Sequence, residues 1–525
     1  MSRNIQSFFL LLVVLAPSVI FAWRAADMPE FGSLHDDGIF YVSAKSLATG
    51  NGYRITSLPE NAYQTKFPPL YPFYLSIIWR LNPSFPENLR LATLACWLCL
   101  VVCLVGALIL YKSSGLTSPR CWIAMALLAL SPYMAIFGTR IFSEIPFTAL
   151  VLATLILARK EGDKAILAAG VAASAAYLTR TAGIALVASV LVWIVMRRDF
   201  RRAKLFAIVT VPVVIAWAAW TATNHTNQNL TLTYYTDYLG FQLANVGWDN
   251  LAVVLWKNFD QILYGMGALV MPKIFDNLPF KILTQVIAAA MIAGVVRLAR
   301  RGVLVDYAIF SAFSVAILLV WHYPATERFV LPMFPLLAAG LVAEGEHLWT
   351  MLRPAFHHRD RGQRIAGFLF GATVAAVCLF ALALQVYVTF FFMPETAEAK
   401  RIQLAARRAD YEWMAANLPP SATVLSYDDP LLYLYTGRRG NYLPMMPRWW
   451  YAEDHRSMVN AYKDLETYCR DRGLSYVYFG EQDLFREAGD EERRAVQELL
   501  ESNGSLAVVH SSGSGILYKV LPKAP

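Results

Sequence analysis

The sequence contains few charged residues and few cysteines. Only 16% of its 525 residues are Asp, Glu, Lys or Arg, whereas 57% are hydrophobic, and the mean hydropathy is +0.42. This composition, with apolar runs near twenty residues, excludes an ordinary soluble domain. Five of the six cysteines lie inside those apolar runs. The sequence therefore predicts neither a disulfide framework nor a zinc site.

Other patterns are missing as well. The net charge of +8 comes without a basic stripe interleaved with aromatic residues, so nucleic acid is not an expected partner. A glycine-rich phosphate loop is lacking, which argues against a bound nucleotide. The chain also lacks internal repeats, which many transporters carry, and low-complexity tracts.

Apolar runs recur along the first three quarters of the chain. Each can cross a hydrocarbon layer of about 30 Å as a helix, because a helix satisfies its own backbone polar groups. We predict a polytopic α-helical membrane protein with about eleven transmembrane helices, near residues 5–23, 89–111, 121–138, 145–158, 165–180, 182–196, 204–222, 279–297, 304–321, 328–348 and 365–391.

Basic residues indicate the orientation of these helices. Lys and Arg gather in alternate connections, at 112–120, 159–164, 197–204, 297–301 and 353–364. The positive-inside rule places these connections and the N-terminus in the cytoplasm. The first span resembles a signal peptide, but we expect a retained anchor. We therefore expect a multi-pass protein of the cytoplasmic membrane, with outer loops near 24–88 and 223–278.

Two domains are predicted. Residues 1–393 form the membrane domain, and residues 394–525 form a small extracytoplasmic α/β domain, because helical and strand patterns alternate after Pro394. Within that tail, residues 456–473 read as one helix, closed by Gly473. The active site and this C-terminal domain are both expected to face the periplasm.

The first outer loop holds the most informative polar residues. Asp36 and Asp37 precede GIFYVSAKSLATGNGY, and Lys66 precedes FPPLYP. The carboxylates are suited to accepting a proton from an acceptor hydroxyl, but they could equally cap a helix N-terminus. Pro68 and Pro69 hold Lys66 just outside the next helix, where it could bind a phosphate or anchor the chain at the interface.

Further charges fall in short outer turns. GTRIFSEIPF carries Arg140 and Glu144, which could pair with each other, and YLTRTAG carries Arg180. HYPATERFVLPMFP carries His322, Glu327 and Arg328, and here Arg328 could bind a phosphate or pair with Glu327. Charged side chains so close to membrane-spanning segments cost free energy unless they form ion pairs or bind a ligand. We expect the seven residues Asp36, Asp37, Lys66, Arg140, Glu144, Arg180 and Arg328 to line one outer face of a helix bundle.

These motifs resemble those of the GT-C superfamily of glycosyltransferases, and in particular the bacterial relatives of protein O-mannosyltransferases and of the lipid A aminoarabinose transferase. The resemblance covers nearly the whole chain and rests on DDGIFYVSAKSLATGNGY, KFPPLYPFY, TRIFSEIPF, AYLTRTAG and ERFVLPMFPLL. It implies inverting transfer of a sugar from a polyprenyl-phosphate donor to a hydroxyl acceptor.

The resemblance also implies roles for individual residues. Asp36 matches the general base or acceptor-orienting acid, with Asp37 and Glu144 as further catalytic candidates. Lys66 and Arg328 match the residues that face donor phosphate. From their positions in the outer turns we also expect Arg140 and Arg180 to bind donor phosphate, and we give supporting roles to Tyr71, His322 and Glu327. The pattern departs from relatives that have Asp-Glu in place of Asp36-Asp37, and Thr65 and Ile39 also differ from family positions.

The implied partners are a polyprenyl-phosphate-linked sugar, membrane lipids, and a lipid, glycan or protein acceptor. No cofactor is assigned, and the resemblance leaves a divalent cation open. The alternative function is a secondary transporter or flippase of a lipid-linked sugar. Transporters commonly keep ionisable groups near mid-membrane, whereas these charges gather at outer helix ends, which favours the enzyme.

Overall fold

The computed structural model describes residues 3–321, 323–356, 360–480, 483 and 489–522. The α-helices are, in chain order, α1 (Arg3–Arg24), α2 (Asp36–Ala48), α3 (Leu70–Leu81), α4 (Leu89–Ser113), α5 (Ser118–Leu130), α6 (Pro132–Thr139), α7 (Glu144–Arg159), α8 (Asp163–Thr179), α9 (Ile184–Met196), α10 (Phe200–Asn224), α11 (Leu230–Thr236), α12 (Tyr238–Val246), α13 (Leu251–Ala268), α14 (Leu278–Arg300), α15 (Val305–Leu319), α16 (Glu327–Val330), α17 (Phe334–Ala355), α18 (Arg361–Tyr387), α19 (Met393–Asn417), α20 (Asp429–Thr436), α21 (Pro447–Ala452), α22 (His455–Asn460), α23 (Leu465–Asp471) and α24 (Asp490–Ser502). The strands are β1 (Thr423–Leu425), β2 (Arg439–Asn441), β3 (Tyr476–Gly480), β4 (Leu506–Ser511) and β5 (Gly515–Val520).

Every predicted apolar span falls on helical backbone, which confirms a polytopic helical membrane protein. Six described helices are long and apolar enough to cross a membrane, at Ser7–Arg24, Leu89–Ser113, Phe200–Asn224, Leu278–Arg300, Glu327–Ala355 and Arg361–Asn417. The pair α5 and α6 makes a seventh candidate, bent by 62°. The number eleven stays a prediction, because apolar helices such as Thr181–Met196 and Val305–Leu319 are shorter than a full span.

The chain forms two compact units. The helical unit comprises Met1–Ala26, Thr93–Ile215 and Leu255–Glu395, and the mixed unit comprises Asp27–Ala92, Ala216–Val254 and Thr396–Pro525. The mixed unit thus gathers most of both predicted outer loops with the C-terminal tail. The division at residue 393 into two domains stays a prediction from the sequence.

The mixed unit is built on a five-stranded sheet in the order β2-β1-β3-β5-β4. β1 pairs in parallel with β2 and β3, whereas β5 runs antiparallel to β3 and β4. A core of buried side chains, among them Leu465, Val477, Val496 and Tyr518, packs beneath it. The small α/β fold of the tail is therefore confirmed.

Two details of the tail differ from expectation. The single helix predicted over 456–473 is wrong, since the chain forms α22 and α23 with a turn between them. Asn460 and Asp464 flank this turn, and such side chains favour helix ends over helix interiors. Sequence reasoning also missed β2, which has only three residues, too few for an alternating pattern. Its Gly440 lies against the Val424 carbonyl oxygen, where a Cβ would collide.

In the helical unit, α14 and α17 cross very closely. A Cβ on Gly294 would collide with the carbonyl oxygen of Gly340, and a Cβ on Gly340 would lie 2.5 Å from the Met291 carbonyl oxygen. Small residues let membrane helices approach backbone to backbone, which increases their van der Waals contact. These two glycines therefore fix the distance between the helices.

We expect Gly340→Ala to lower the stability of the helical unit by about 2 kcal/mol, because overpacking forces the helices apart. Thermal unfolding in detergent measures this loss as a lower Tm. Gly345→Ala on the same helix is the matched control, since a methyl group added at Gly345 would have no heavy atom within 4 Å. Equal Tm values for the two variants would contradict the close crossing.

Candidate functional site

The predicted site residues divide between the two units. The mixed unit contains Asp36, Asp37, Lys66 and Tyr71, and the helical unit contains Arg140, Glu144, Arg180, Glu327 and Arg328. His322 lies outside the described residues. The structure brings members of each group together within their own unit. The joint action of both groups on one substrate stays a prediction.

In the mixed unit, Asp36 and Lys66 form an ion pair. Asp36 is the first residue of α2, and its Oδ1 lies 3.5 Å from Nζ of Lys66. The Lys66 side chain is 1% exposed and that of Asp36 is 23% exposed. The distance exceeds that of a tight charge-assisted hydrogen bond, so the attraction is mainly coulombic. Asp36 therefore keeps access to solvent while Lys66 is shielded.

The backbone and ring contacts of Lys66 hold its ammonium in place. The amide N–H of Lys66 donates to Oε1 of Gln64 at 2.9 Å, and the Gln64 amide donates at 2.9 Å to Ser43 Oγ on α2. The ammonium lies 4.3 Å from the ring centroids of both Tyr234 and Tyr238. The loop before α3 is thereby fixed against α2 and against α11 and α12.

Burying this ammonium has an energetic cost. Removing a charge from water costs several kcal/mol, and a nearby carboxylate offsets much of that cost. Each aromatic face contributes about 0.5–2 kcal/mol more. These contacts let Lys66 stay charged in an apolar setting, where its attraction for an anion is stronger than in water.

Asp37 occupies a different environment from its neighbour. Its two carboxylate oxygens accept hydrogen bonds from the backbone N–H groups of Gly32 and Gly38, each at 2.9 Å. Burial raises the pKa of the Asp37 carboxyl from 3.8 to about 6, against the opposing effect of these two N–H groups. Asp37 thus ties the loop before α2 to the first turn of that helix.

Sequence reasoning missed a buried polar network next to this pair. Nε2 of His35 lies 2.8 Å from Oδ1 of Asp429, and the Tyr235 hydroxyl donates to the same oxygen at 2.6 Å. Burial raises the pKa of Asp429, an effect that the hydrogen bonds from His35 and Tyr235 oppose. His35 immediately precedes Asp36, and its backbone φ of 61° lies in the left-handed region. The network therefore holds the residue that sets the entry angle of α2.

Among the described residues, four tyrosine rings surround the His35 imidazole, with centroid distances of 5.4–6.2 Å. One of them, Tyr234, also lies beneath the Lys66 ammonium. A single aromatic cluster thus contacts both His35 and Lys66. The proximity of His35 to the Asp36-Asp37 pair in sequence was the signal that could have suggested its role.

The first turn of α2 also packs tightly on α20. A Cβ on Gly38 would lie 2.8 Å from Cβ of Pro430, and a Cβ on Gly32 would lie 2.7 Å from the Leu431 side chain. Asp428 stands at the N-cap position of α20 but makes no side-chain cap, and it pairs instead with buried Arg407. Asp428 pairs with Arg407 because a buried guanidinium without a counter-charge costs more free energy than a helix end without a side-chain cap.

In the helical unit, Glu144 is a shared partner of two arginines. Its Oε1 accepts from Nη1 of Arg180 at 2.5 Å and from Nε of Arg328. Glu144 is fully buried, and its Oε2 has no hydrogen-bond partner among the described residues. With one carboxylate facing two guanidinium groups, the cluster has a net charge of +1. Such a cluster can bind an anion, because guanidinium groups favour phosphate and carboxylate oxygens.

The other predicted residues have separate surroundings. Glu327 forms an ion pair with Lys273 at 2.5 Å, and the Lys273 ammonium lies 4.0 Å from the Tyr264 ring centroid. Arg140 directly follows α6 and is partly buried. Tyr71 on α3 is 2% exposed, and its ring packs edge-on against Phe40 at 5.2 Å.

In the part of the chain that the structure describes, no group of three or more His, Cys, Asp or Glu residues is arranged to hold a metal ion.

The raised pKa of Asp37 predicts a pH-dependent stability. A carboxyl whose pKa is higher in the folded state adds stability below its unfolded pKa of 3.8 and loses it as the pH rises through about 6. The contribution across this window is about 3 kcal/mol. We expect Asp37→Asn to have a smaller Tm difference between pH 4.5 and 7.5 than the parent protein.

Thermal unfolding at the two pH values tests this, and Glu491→Gln, which changes an exposed carboxylate on α24, serves as the control. An unchanged Tm difference in Asp37→Asn would show that another group carries the pH dependence.

Comparison with solved structures identifies the fold. The chain is similar to ArnT from Cupriavidus metallidurans bound to undecaprenyl phosphate, with 13% identity, coverage of 99% of this chain and 98% of ArnT, and a TM-score of 0.54. ArnT in the apo state gives a TM-score of 0.49 at 13% identity, with 95% and 97% coverage. Arabinofuranosyltransferase AftD from Mycobacteria gives 0.47 at 16% identity, with 100% of this chain and 42% of AftD covered. No family model and no curated protein matches the sequence. The likeness to ArnT bound to undecaprenyl phosphate shows that this chain shares the fold of ArnT, in agreement with the fold that its sequence predicts.

Proposed function

We propose that this chain is a membrane glycosyltransferase that transfers a sugar from a polyprenyl-phosphate donor to a hydroxyl acceptor. The observation that carries the proposal is the ion pair of partly exposed Asp36 with buried Lys66, at the start of the first outer loop helix of a GT-C fold. A carboxylate open to substrate beside a shielded ammonium is suited to group transfer from a phosphate. The undecaprenyl phosphate bound by ArnT supports a polyprenyl phosphate as the donor carrier.

The reaction needs few groups. The acceptor hydroxyl gives its proton to the Asp36 carboxylate as its oxygen attacks the anomeric carbon. The bond from that carbon to the phosphate oxygen breaks, and its electron pair stays on the departing polyprenyl phosphate. Because attack comes from the side opposite the phosphate, the anomeric configuration inverts.

Lys66 would stabilise the negative charge that grows on the departing phosphate. Its ammonium is held between aromatic rings before the reaction begins, so little reorganisation is needed when that charge develops. The 3.5 Å separation from Asp36 suits this role, since the ammonium is not locked into a short hydrogen bond with the carboxylate. Asp37 would keep the loop in shape, as its bonds to Gly32 and Gly38 support.

Arg180 and Arg328 would bind a donor phosphate, with Glu144 orienting their guanidinium groups. The convergence of the two guanidinium groups on Glu144 supports this assignment, because guanidinium groups favour phosphate oxygens. We place the reaction at the outer face of a bacterial inner membrane, as the distribution of basic loops supports. The mixed unit would then lie in the periplasm.

The first test changes the Asp36–Lys66 pair. We expect Asp36→Asn and Lys66→Ala each to reduce product formation at least a hundredfold, since a general base alone typically contributes 10²–10⁴-fold, while membrane insertion stays intact. Mass spectrometry of glycolipids, glycans and envelope proteins compares cells without the chain, with the parent protein and with each variant.

Asp260 and Lys281 provide the matched control. They form an ion pair of the same type at 2.6 Å, and the Asp260 side chain is 24% exposed, as accessible as that of Asp36. Asp260→Asn and Lys281→Ala should leave the product unchanged. Normal product from inserted Asp36→Asn would exclude this residue as the base, and normal product from all variants would favour the transport of a lipid-linked sugar.

The second test concerns phosphate binding in the helical unit. We expect Arg328→Gln to weaken binding of undecaprenyl phosphate by about tenfold to a hundredfold, as loss of a charge-assisted contact does. Arg297→Gln is the control, because Arg297 forms a comparable ion pair with Glu344 at 3.0 Å. Titration of the purified protein with the lipid, followed by native mass spectrometry, measures both affinities. Equal weakening in both variants would reject a specific phosphate site at Arg328.

A further inference from the structure

The helical unit contains a cavity of about 540 Å³ that the proposed reaction does not use. It lies where α4, α7 and α9 end and α15 begins, and its lining includes Ser113, Ser114, Arg159, Trp193, Arg197 and Asp306. The connections at these helix ends are those in which the sequence concentrates Lys and Arg. The positive-inside rule predicts that these connections are cytoplasmic, and basic cavities between membrane helices on the cytoplasmic side commonly bind lipid headgroups.

One wall of the cavity is rigid. Nε of Arg159 donates to Oδ2 of Asp306 at 2.7 Å, its Nη2 pairs with Oδ1 of the same carboxylate, and its Nη1 donates to Ser114 Oγ. The backbone N–H of Tyr307 donates to Asp306 Oδ1 at 2.9 Å. Both carboxylate oxygens of Asp306 accept from Arg159, so Asp306 neutralises the charge of Arg159. This wall of the cavity therefore forms without a ligand.

The charge left for a ligand is that of Arg197. Its guanidinium lies 4.7 Å from the ring centroid of Trp193, within the range of a cation–π contact, which does not neutralise its charge. No carboxylate pairs with Arg197 in the portion of the chain that the structure describes. The lining thus has a net charge of +1 and complements an anion.

Exposed apolar side chains of α9 adjoin the cavity. Met196, which lines the cavity, is 66% exposed, and Val192 and Val195 on the same helix are also exposed. A soluble phosphate ester would gain nothing from these side chains. An amphiphile gains from both parts, because its charged headgroup can occupy the cavity while its acyl chains cover the apolar end of α9.

We propose that this cavity binds the headgroup of an anionic phospholipid, with the phosphate on Arg197 and the headgroup hydroxyls near Ser113 and Ser114. A phosphate diester carrying a glycerol has the charge and the hydrogen-bonding groups that this lining offers. The site would tie the basic end of the helical unit to anionic lipid, independently of any sugar transfer.

Native mass spectrometry of the detergent-purified full chain, titrated with phosphatidylglycerol, tests the proposal. We expect Arg197→Gln to weaken retention of this lipid at least tenfold. Arg197 is exposed, so the variant should fold normally, and its Tm checks this. Arg201→Gln is the matched control, because Arg201 is exposed in the same basic connection but pairs with Asp163 at 2.5 Å.

Each arm of this experiment separates one source of binding. Zwitterionic phosphatidylcholine should bind at least tenfold more weakly than phosphatidylglycerol to the parent protein, and equal binding would overturn the requirement for an anion. Glycerol 3-phosphate should not displace the lipid at equal concentration, and displacement would indicate a soluble ester site instead. The same loss in Arg197→Gln and Arg201→Gln would reduce the effect to general electrostatics and overturn the site.

Discussion

The buried ammonium of Lys66 imposes the main constraint on the mixed unit. A charge that is 1% exposed must be balanced nearby, and the balancing groups come from segments far apart in the chain. Asp36 supplies the carboxylate, whereas Tyr234 and Tyr238 supply the aromatic faces. Loop 24–88 and the segment after α10 must therefore fold together before Lys66 can be accommodated. The proposed catalytic pair is thus also a condition for the local fold.

The same physical rule organises the helical unit. Glu144 is fully buried and is tolerable there because Arg180 and Arg328 both contact its Oε1. In the cavity where α7 ends and α15 begins, Arg159 and Asp306 neutralise each other. The remaining positive charge of that cavity is that of Arg197. Each cluster is stable by itself yet retains an attraction for an anion.

Much of the fold could be predicted from the sequence, because long apolar runs and alternating tail patterns are local signals. The apolar spans fall on helices, and helices alternate with strands after Pro394, as the pattern indicates. The sequence also singled out Asp36 and Lys66, and the structure pairs these two residues, while their catalytic roles stay a prediction. In contrast, the spacing along the chain suggested Arg140 as a partner of Glu144, whereas Arg180 and Arg328, which contact Glu144, lie 36 and 184 positions away from it. The His35–Asp429 contact joins residues 394 positions apart, and no local pattern encodes such a pairing.

The adjacent acids Asp428 and Asp429 have a consequence for how the sequence can change. Asp428 pairs with Arg407 on α19, whereas its neighbour Asp429 contacts His35 in the loop before α2. Pro430 and Leu431 then pack on two glycines that leave no spare room. Inserting or deleting one residue just before Pro430 would shift the acids relative to Pro430 and Leu431. The two ion pairs and the two apolar contacts could then no longer form together. This short stretch should therefore keep a constant length among descendants of the chain, even where the surrounding loops lengthen or shorten freely.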